Sequence, residues 1–458
     1  MNYSLSMTFL QHAELKGHLV TPSGNEKVVW VLCGRAVSCG RVRLLVQSIY
    51  PLPEDAYVDV SPVQVTWKTS GVVELFDKAE AENLVLVKFH SHPAGCHEFS
   101  STDDKSDKEM LAAICDWIES PEEFVSCIMT PDGRIEGRTV GRVSYDSLTH
   151  VMIVGYDITF FERWSDFVPG FAKRNVQAFG DETFRILRNI RVGVAGCSGT
   201  GSQVIEQLVR LGVGELVLVD YDRVEEKNLN RISNLTMQDA ISGRLKVEAL
   251  KEKIEGMGLG TKVIVVSTRL ETSEAVRALS VCDIVFGCLD TKGGRHTLNR
   301  LTSFYTIPYF DVGVRLDADG CNGINGINAS VHYLQPGKKS LLHRGVYDME
   351  DVRAENKYID DPEGYVEEFG KGYVKGVNVD RPAVIPINAI ASSFAVMDLL
   401  ARIHDYRSSG NDEVDKILIS VSGEILAYEE VDICDKDIFF RVVGRGDVRP
   451  LLDMPVIR

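Results

Sequence analysis

The chain has 458 residues, 44% of them apolar and 25% charged, the proportions of an ordinary globular protein long enough for two or three domains. A formal net charge of −16 argues against a nucleic-acid backbone as the main partner and is compatible with a basic protein partner. No apolar run approaches the length of a membrane span, the N-terminus lacks the shape of a signal peptide, and the 10 cysteines are scattered singly. A cytoplasmic protein in a reduced compartment, without membrane contact, is therefore expected.

In chain order, the first strong element is the apolar strand Val28-Val29-Trp30-Val31-Leu32-Cys33-Gly34, opened by Glu26. A second buried strand, Leu84 to Phe89, runs into His90-Ser91-His92 and is broken at once by Pro93-Ala94-Gly95. Alternation along a strand puts His90 and His92 on one face. Helix-start chemistry follows at Thr102 to Met110, so Asp103 belongs to a first helical turn with Ser100 just before it. Two imidazoles at i and i+2 with an aspartate can give three ligands to one Zn²⁺ and leave a fourth position for water, the arrangement of a hydrolytic site. Cys96 and His97, inside the gap, could compete for the metal, but are expected at a loop tip. The turn Thr130-Pro131-Asp132-Gly133 separates two more strands, and a first domain is expected over 1–143. A connector over 144–172 holds the apolar run Val151–Val154, which points to packing rather than a free linker.

The second half opens with Arg191-Val192-Gly193-Val194-Ala195, a strand running into Gly196, Gly199 and Gly201 and then a helix. Such glycines let the backbone approach phosphate oxygens at a helix N-terminus. The strand Glu215–Val219 ends in Asp220, where an acidic residue meets a ribose hydroxyl. Alone, this reads as a dinucleotide-binding oxidoreductase. The sequel argues against that: Asp220-Tyr221-Asp222-Arg223-Val224, Asn228-Leu229-Asn230-Arg231, Lys246, then Cys288-Leu289-Asp290. Strand and helix patterns alternate over 173–410. Within them, Tyr347 to Lys375 is acidic and reads as a flexible crossover segment or a solvated face. A C-terminal extension, 411–458, holds Cys434 and Gly444-Arg445-Gly446-Asp447, to which no chemistry is assigned.

His90, His92, Ser100 and Asp103 match every fixed position of H-x-H-x7-S-x2-D, so the first domain resembles the JAMM (JAB/MPN-type) metalloproteases. The resemblance implies His90, His92 and Asp103 as zinc ligands, Glu26 as general base and Ser100 as the hydroxyl that steadies the oxyanion. It also implies cleavage of peptide or isopeptide bonds after the C-terminus of a ubiquitin-like protein or sulfur carrier. The second domain is similar to the ThiF/MoeB and ubiquitin-activating enzyme superfamily. That likeness implies ATP bound by the loop of Gly196, Gly199 and Gly201, its ribose on Asp220, its phosphates on Asn228, Arg231 and Lys246, and Mg²⁺ on Asp290. Arg231 and Lys246 would also act on the charge that develops during adenylate transfer. Arg295 and Asn299 match further positions of the family's D-N-x-x-x-R-x-x-x-N, with Thr291 in place of its asparagine. Arg174, heading Arg174-Asn175-Val176-Gln177-Ala178-Phe179-Gly180, would reach the phosphates of a neighbouring subunit, which implies a homodimer.

Two departures narrow the expectation. The C-x-x-C pairs that hold a structural zinc in sulfur-carrier relatives are missing, and the corresponding stretch reads Gln335-Pro336-Gly337-Lys338-Lys339-Ser340. The loop from Tyr373 to Pro386, where activating enzymes carry a catalytic cysteine, has none. Either the domain stops at the acyl-adenylate, or Cys321 or Cys434 is brought in, or Ser340 forms an oxyester. The expected architecture is an α/β chain in which a JAB/MPN-type α/β metalloprotease domain precedes a Rossmann-like ThiF-type adenylation domain. The resemblance implies a ubiquitin-like partner, a conjugating-enzyme homologue downstream, and a bacterial conjugation module of the kind linked to phage defence. A sulfur-carrier activating enzyme, or a scaffold with one inactive half, are the alternatives.

Overall fold

The computed structural model describes residues 1–117, 124–164, 167–321, 323–370, 375–376, 382–431 and 438–457. They form two units, Met1–Trp164 with Phe304–Thr306 and Val442–Val448, and the remainder.

The first unit is built on β1 (Asn2–Thr8), β2 (Val28–Ser38), β3 (Arg41–Pro51), β4 (Tyr57–Ser61), β5 (Gln64–Trp67), β6 (Val85–Ser91), β7 (Phe124–Met129), β8 (Ile135–Val140), β9 (Tyr145–Ser147), β10 (His150–Val154) and β11 (Ile158–Glu162), with helices α1 (Phe9–Leu19), α2 (Val73–Ala81) and α3 (Ser101–Trp117). Nine strands make one sheet in the order β11-β10-β1-β3-β2-β6-β7-β8-β9, and β4 and β5 pair separately. The stretch 144–172 thus contributes β9, β10 and β11 to this sheet. Central β2 and β6 are buried on both faces, which is why they read as unbroken apolar runs rather than alternations. Val29, Val31, Val87 and Phe89 enter a core with α1, while Trp30, Leu32 and Leu86 face α2 and α3. Thr8 caps α1 reciprocally with Gln11.

Gly444-Arg445-Gly446-Asp447 lies against β2 and β3. A Cβ on Gly444 would stand 2.3 Å from the Val46 carbonyl oxygen, and one on Gly446 2.3 Å from that of Arg35. The carboxylate of Asp447 accepts the Val37 N–H at 3.1 Å and the Tyr305 hydroxyl at 2.9 Å.

The second unit comprises α4 (Lys173–Asn189), β12 (Arg191–Ala195), α5 (Gly199–Leu211), β13 (Glu215–Val219), α6 (Met237–Ile241), α7 (Lys246–Gly256), β14 (Lys262–Val266), α8 (Ser273–Ser280), β15 (Ile284–Gly287), α9 (Lys292–Phe304), β16 (Tyr309–Ala318), β17 (Ile324–Leu334), α10 (Met349–Asp360), α11 (Pro362–Gly370), α12 (Ile385–Ile403), β18 (Lys416–Ser420) and β19 (Ile425–Glu429). Its sheet runs β14-β13-β12-β15-β16-β17-β18-β19, parallel through β16 and antiparallel beyond. Strand order reverses at β12, so a crevice opens where β12 and β15 end, the usual ligand position in such sheets.

Two expectations change. The acidic stretch beginning at Tyr347 forms two helices as far as Gly370 rather than a flexible segment. Asp348 and Asp351 make a reciprocal cap, and Val352, Ala354 and Tyr365 are buried. Contrary to the expectation about apolar runs, α12 is long and apolar enough to cross a membrane by length and composition alone. It packs on α5, β16 and β17, with 61% of its apolar window buried, as a core helix does.

Candidate metal centre and candidate nucleotide cleft

The end of β6 and the first turn of α3 bring His90, His92 and Asp103 together, with one donor atom from each within 4.8 Å of the others. The Nε2 atoms of the two histidines lie 3.1 Å apart, and Asp103 offers Oδ1 to His90 at 3.0 Å and Oδ2 to His92 at 3.5 Å. Donors at about 2.0–2.1 Å from a tetrahedral ion are separated by roughly 3.3 Å, so nitrogen, nitrogen and carboxylate oxygen here fit zinc. Nδ1 of His92 sits 2.9 Å from the Cys96 carbonyl, which can only accept, so Nδ1 carries the proton and a neutral ring turns its Nε2 lone pair to the cluster. Burial lowers the pKa of His90. For Asp103 burial opposes the charge, but its contacts with the His90 and His92 rings outweigh it and hold the carboxyl well below its usual range.

Continuing the ladder that pairs Val28 with His90 sets Glu26 opposite His92. Its carboxyl is buried, and that burial lifts its pKa to about 7, with His92 pulling it down and Asp103 pushing it up. Ser100 has a local job. Its N–H and Oγ both donate to Asp103 Oδ2, at 2.6 and 2.7 Å, and its Oγ accepts the Asp103 N–H at 3.2 Å. The hydroxyl expected at the oxyanion thus also bonds the candidate metal ligand Asp103. Cys96 and His97 are exposed and outside the cluster. Sequence reasoning passed over Lys88, Asp107 and Arg138, which lie buried behind the cluster. The available signal was a lysine inside an apolar strand, two residues before His90.

In the second unit a cleft of about 1500 Å³ lies over the switch point, lined by Gly196, Gly199, Asp220, Asn228, Arg231, Lys246 and Asp290 among others. Gly196 has φ +86°, and a Cβ there would meet the Cys288 carbonyl oxygen at 2.5 Å. Gly201 sits behind it, where a Cβ would stand 1.9 Å from the Gly196 carbonyl oxygen. These close approaches bring the first turn of α5 to the cleft, and no side chain caps that helix, leaving its N–H groups and positive dipole end for an anion.

Asp220 is fixed by the N–H groups of Cys197 at 2.8 Å and Asp222 at 2.9 Å, and burial raises its pKa. Lys246 is buried and holds the Asp222 carboxylate at 2.7 Å. Asn228 accepts the Glu225 N–H at 3.1 Å, and Arg231 donates to the Lys227 carbonyl at 2.9 Å. Asp290 is exposed in the cleft, a hard oxygen donor suited to Mg²⁺. Arg295 lines the floor and pairs with Asp311 at 3.1 Å.

Other sequence candidates fall elsewhere. Asn299 is buried and donates to the Tyr347 hydroxyl at 2.6 Å, a packing role. Arg174 is exposed on α4, donates to Gln177 at 2.8 Å and does not line this chain's cleft. Cys321 is exposed in the β16–β17 turn, also outside the cleft. Ser340 is 4% exposed and accepts the His343 N–H at 3.4 Å, so no substrate carbonyl reaches its oxygen in this conformation. Cys434 lies outside the described residues. Among the described residues Cys288 is the cysteine that lines the cleft, and burial pushes its thiol well up, keeping it protonated. Asn388 of α12 and Glu355 and Tyr358 of α10 line the cleft without having been singled out.

The profile of the ThiF family matches residues 172–433, and that of prokaryotic homologs of the JAB domain matches residues 12–142. The chain is similar to ubiquitin-like modifier-activating enzyme 5 of Culex quinquefasciatus, 28% identical over 168 residues that cover 34% of this chain and 40% of the relative. It is also similar to adenylyltransferase and sulfurtransferase UBA4 of Meyerozyma guilliermondii, 30% identical over 134 residues, 29% of this chain and 31% of the relative. It therefore spans less than half the length of either curated relative. Among solved structures, E. coli MccB with ATP aligns at a TM-score of 0.43 and 18% identity, over 58% of this chain and 73% of that one.

Proposed function

Because the chain belongs to the ThiF family and carries a JAB-type domain ahead of that region, we propose that it adenylates the C-terminus of a ubiquitin-like protein and hydrolyses the peptide or isopeptide bond made at such a tail. The observation that carries this reading is the convergence at the switch point of an uncapped helix N-terminus, the ribose-type acid Asp220, the cations Arg231 and Lys246, and the exposed carboxylate Asp290.

In the activating step an oxygen of the tail carboxylate attacks the α-phosphorus of ATP. The new P–O bond forms as the bond to pyrophosphate breaks, leaving an acyl-adenylate and pyrophosphate. The α5 N–H groups, Asn228, Arg231 and Lys246 bind the phosphates, and the two cations offset the charge that gathers on them in transfer. Asp220 accepts from the ribose hydroxyls. Asp290 would hold Mg²⁺, whose charge steadies the departing pyrophosphate. Of the described candidate acceptors, Ser340 is buried and Cys321 is outside the cleft, which favours release as the acyl-adenylate over an ester on either; a conjugating-enzyme homologue is the proposed recipient, and Cys434 stays the alternative acceptor. Arg174 would serve the cleft of a second copy in a homodimer.

In the first unit, His90, His92 and Asp103 would hold zinc, which supplies Lewis acidity toward water and the scissile carbonyl. Glu26, poised near neutrality, takes the proton from the attacking water and returns it to the leaving amine. Ser100 keeps Asp103 aimed at the histidines. The likeness to an adenylyltransferase and sulfurtransferase supports, as a second reading, a sulfur-carrier protein as the substrate.

The test is ATP–pyrophosphate exchange by the full chain with a candidate ubiquitin-like protein. Exchange should require that protein and fall at least roughly 100-fold in Arg231→Ala and in Asp290→Asn. Exchange that is equally fast without any tail carboxylate, or that survives both substitutions, would contradict the reading. Formation of a thiocarboxylate in place of a conjugate would select the sulfur-carrier class.

A further inference from the structure

Behind the metal cluster lies a second contact between the same strand and the same helix. Lys88 and His90 share a face of β6, and Asp103 and Asp107 share a face of α3. Two residues along a strand advance about 6.6 Å and four along a helix about 6.0 Å, so pairs at these spacings come into register together. The structure has that arrangement: His90 meets Asp103, and the Lys88 ammonium meets Asp107. Both members of the second pair are buried, Asp107 at 0% exposure and Lys88 at 4%.

Arg138 of β8 closes the arrangement. It donates to Asp107 Oδ2 through Nε at 3.2 Å and through a terminal nitrogen at 2.7 Å, and to Asp104 at 2.6 Å. Its guanidinium stacks on Phe99 at 3.8 Å and on Tyr145 at 4.0 Å. Phe99 directly precedes Ser100, so one cation grips the chain on both sides of Asp103. A buried ion pair is a costly way to stabilise a core and is best justified by fixing a register.

We propose that Asp107, clamped by Lys88 and Arg138, is the positioning residue of the metal centre, the second rung that holds α3 where Asp103 reaches His90 and His92. The proposal rests on the metal-site reading given above and extends it to residues that touch neither metal nor substrate.

The test is zinc affinity of the full chain, by competition with a chromophoric chelator, together with the visible spectrum of the cobalt-loaded protein. Asp107→Asn should weaken zinc roughly 10- to 100-fold and change the cobalt bands, as loss of an outer-shell support does. Lys88→Met should do the same while leaving Asp107 paired with Arg138, so it carries the test if Asp107→Asn fails to fold. Lys88→Arg, which keeps the cation, should recover most of the loss. Folded variants with unchanged affinity and unchanged cobalt bands would overturn the positioning role. A wild-type chain that takes up neither metal would overturn the metal reading itself, and the proposal with it.

Discussion

A carboxyl buried away from water keeps its proton more readily than one in solution, and Glu26 is in that position, near a pKa of 7 although His92 pulls the other way. It can therefore exchange a proton near neutral pH. Glu26→Gln should lower peptidase turnover by roughly 100-fold or more while zinc content stays at the wild-type level. Loss of zinc in that variant would mean that Glu26 is a ligand instead. A different buried side chain contributes to acid stability. His332 of β17 is 4% exposed, and burial depresses its pKa from 6.5 to about 3, helped by Arg344, Lys416 and Arg295. The unfolded chain takes this proton first as pH falls, so the contribution is intact above pH 6.5 and is lost progressively toward pH 3. Between pH 7 and pH 5 it amounts to about 2 kcal/mol. Urea unfolding of His332→Leu should show a pH slope smaller by that amount; an unchanged slope would assign the acid sensitivity elsewhere.

Among the elements, the glycine loop makes a prediction whose sign is unusual. Gly→Ala in a helix ordinarily stabilises by roughly 0.5–1 kcal/mol, and Gly17→Ala in α1, where nothing lies within 4 Å of the new Cβ, should do so. Gly201→Ala should instead cost about 1–3 kcal/mol and weaken ATP binding at least tenfold, because its Cβ would stand 1.9 Å from a carbonyl oxygen. Thermal melts and nucleotide titration of the two variants check the contrast. The loop was legible in the sequence for this same reason, since glycine is what a close backbone approach leaves possible. The ligand cluster was legible because strand alternation and a helix start place His90, His92 and Asp103 without any long-range information. The α10–α11 pair was not. Its acidic composition suggested solvent, whereas the helices follow from one reciprocal cap at Asp348 and a few buried side chains. The bonds of Ser100 to Asp103 were not legible because a motif position does not say which way a hydroxyl points.

On the scale of the whole molecule, what the sequence left open was tertiary. Gly444-Arg445-Gly446-Asp447 carried no visible chemistry, yet these residues join the first unit, far from it in the chain, through contacts that only glycine permits. Lys88, Asp107 and Arg138 likewise come together from separate elements. The two sites lie in different units and draw on no common residue, so His92→Ala should abolish zinc uptake and peptidase activity while pyrophosphate exchange stays within twofold of wild type. A joint loss would argue against independent centres. The central claim is that both sites act on one tail. Its most direct test is intact-mass spectrometry of a candidate ubiquitin-like protein bearing a short C-terminal extension, incubated with the zinc-loaded full chain before and after addition of ATP and Mg²⁺. The account predicts loss of the extension without ATP, followed by addition of AMP to the shortened protein once ATP is present. Removal of the extension with no adenylate on the exposed carboxylate, or an adenylate that forms only on a different protein, would contradict it.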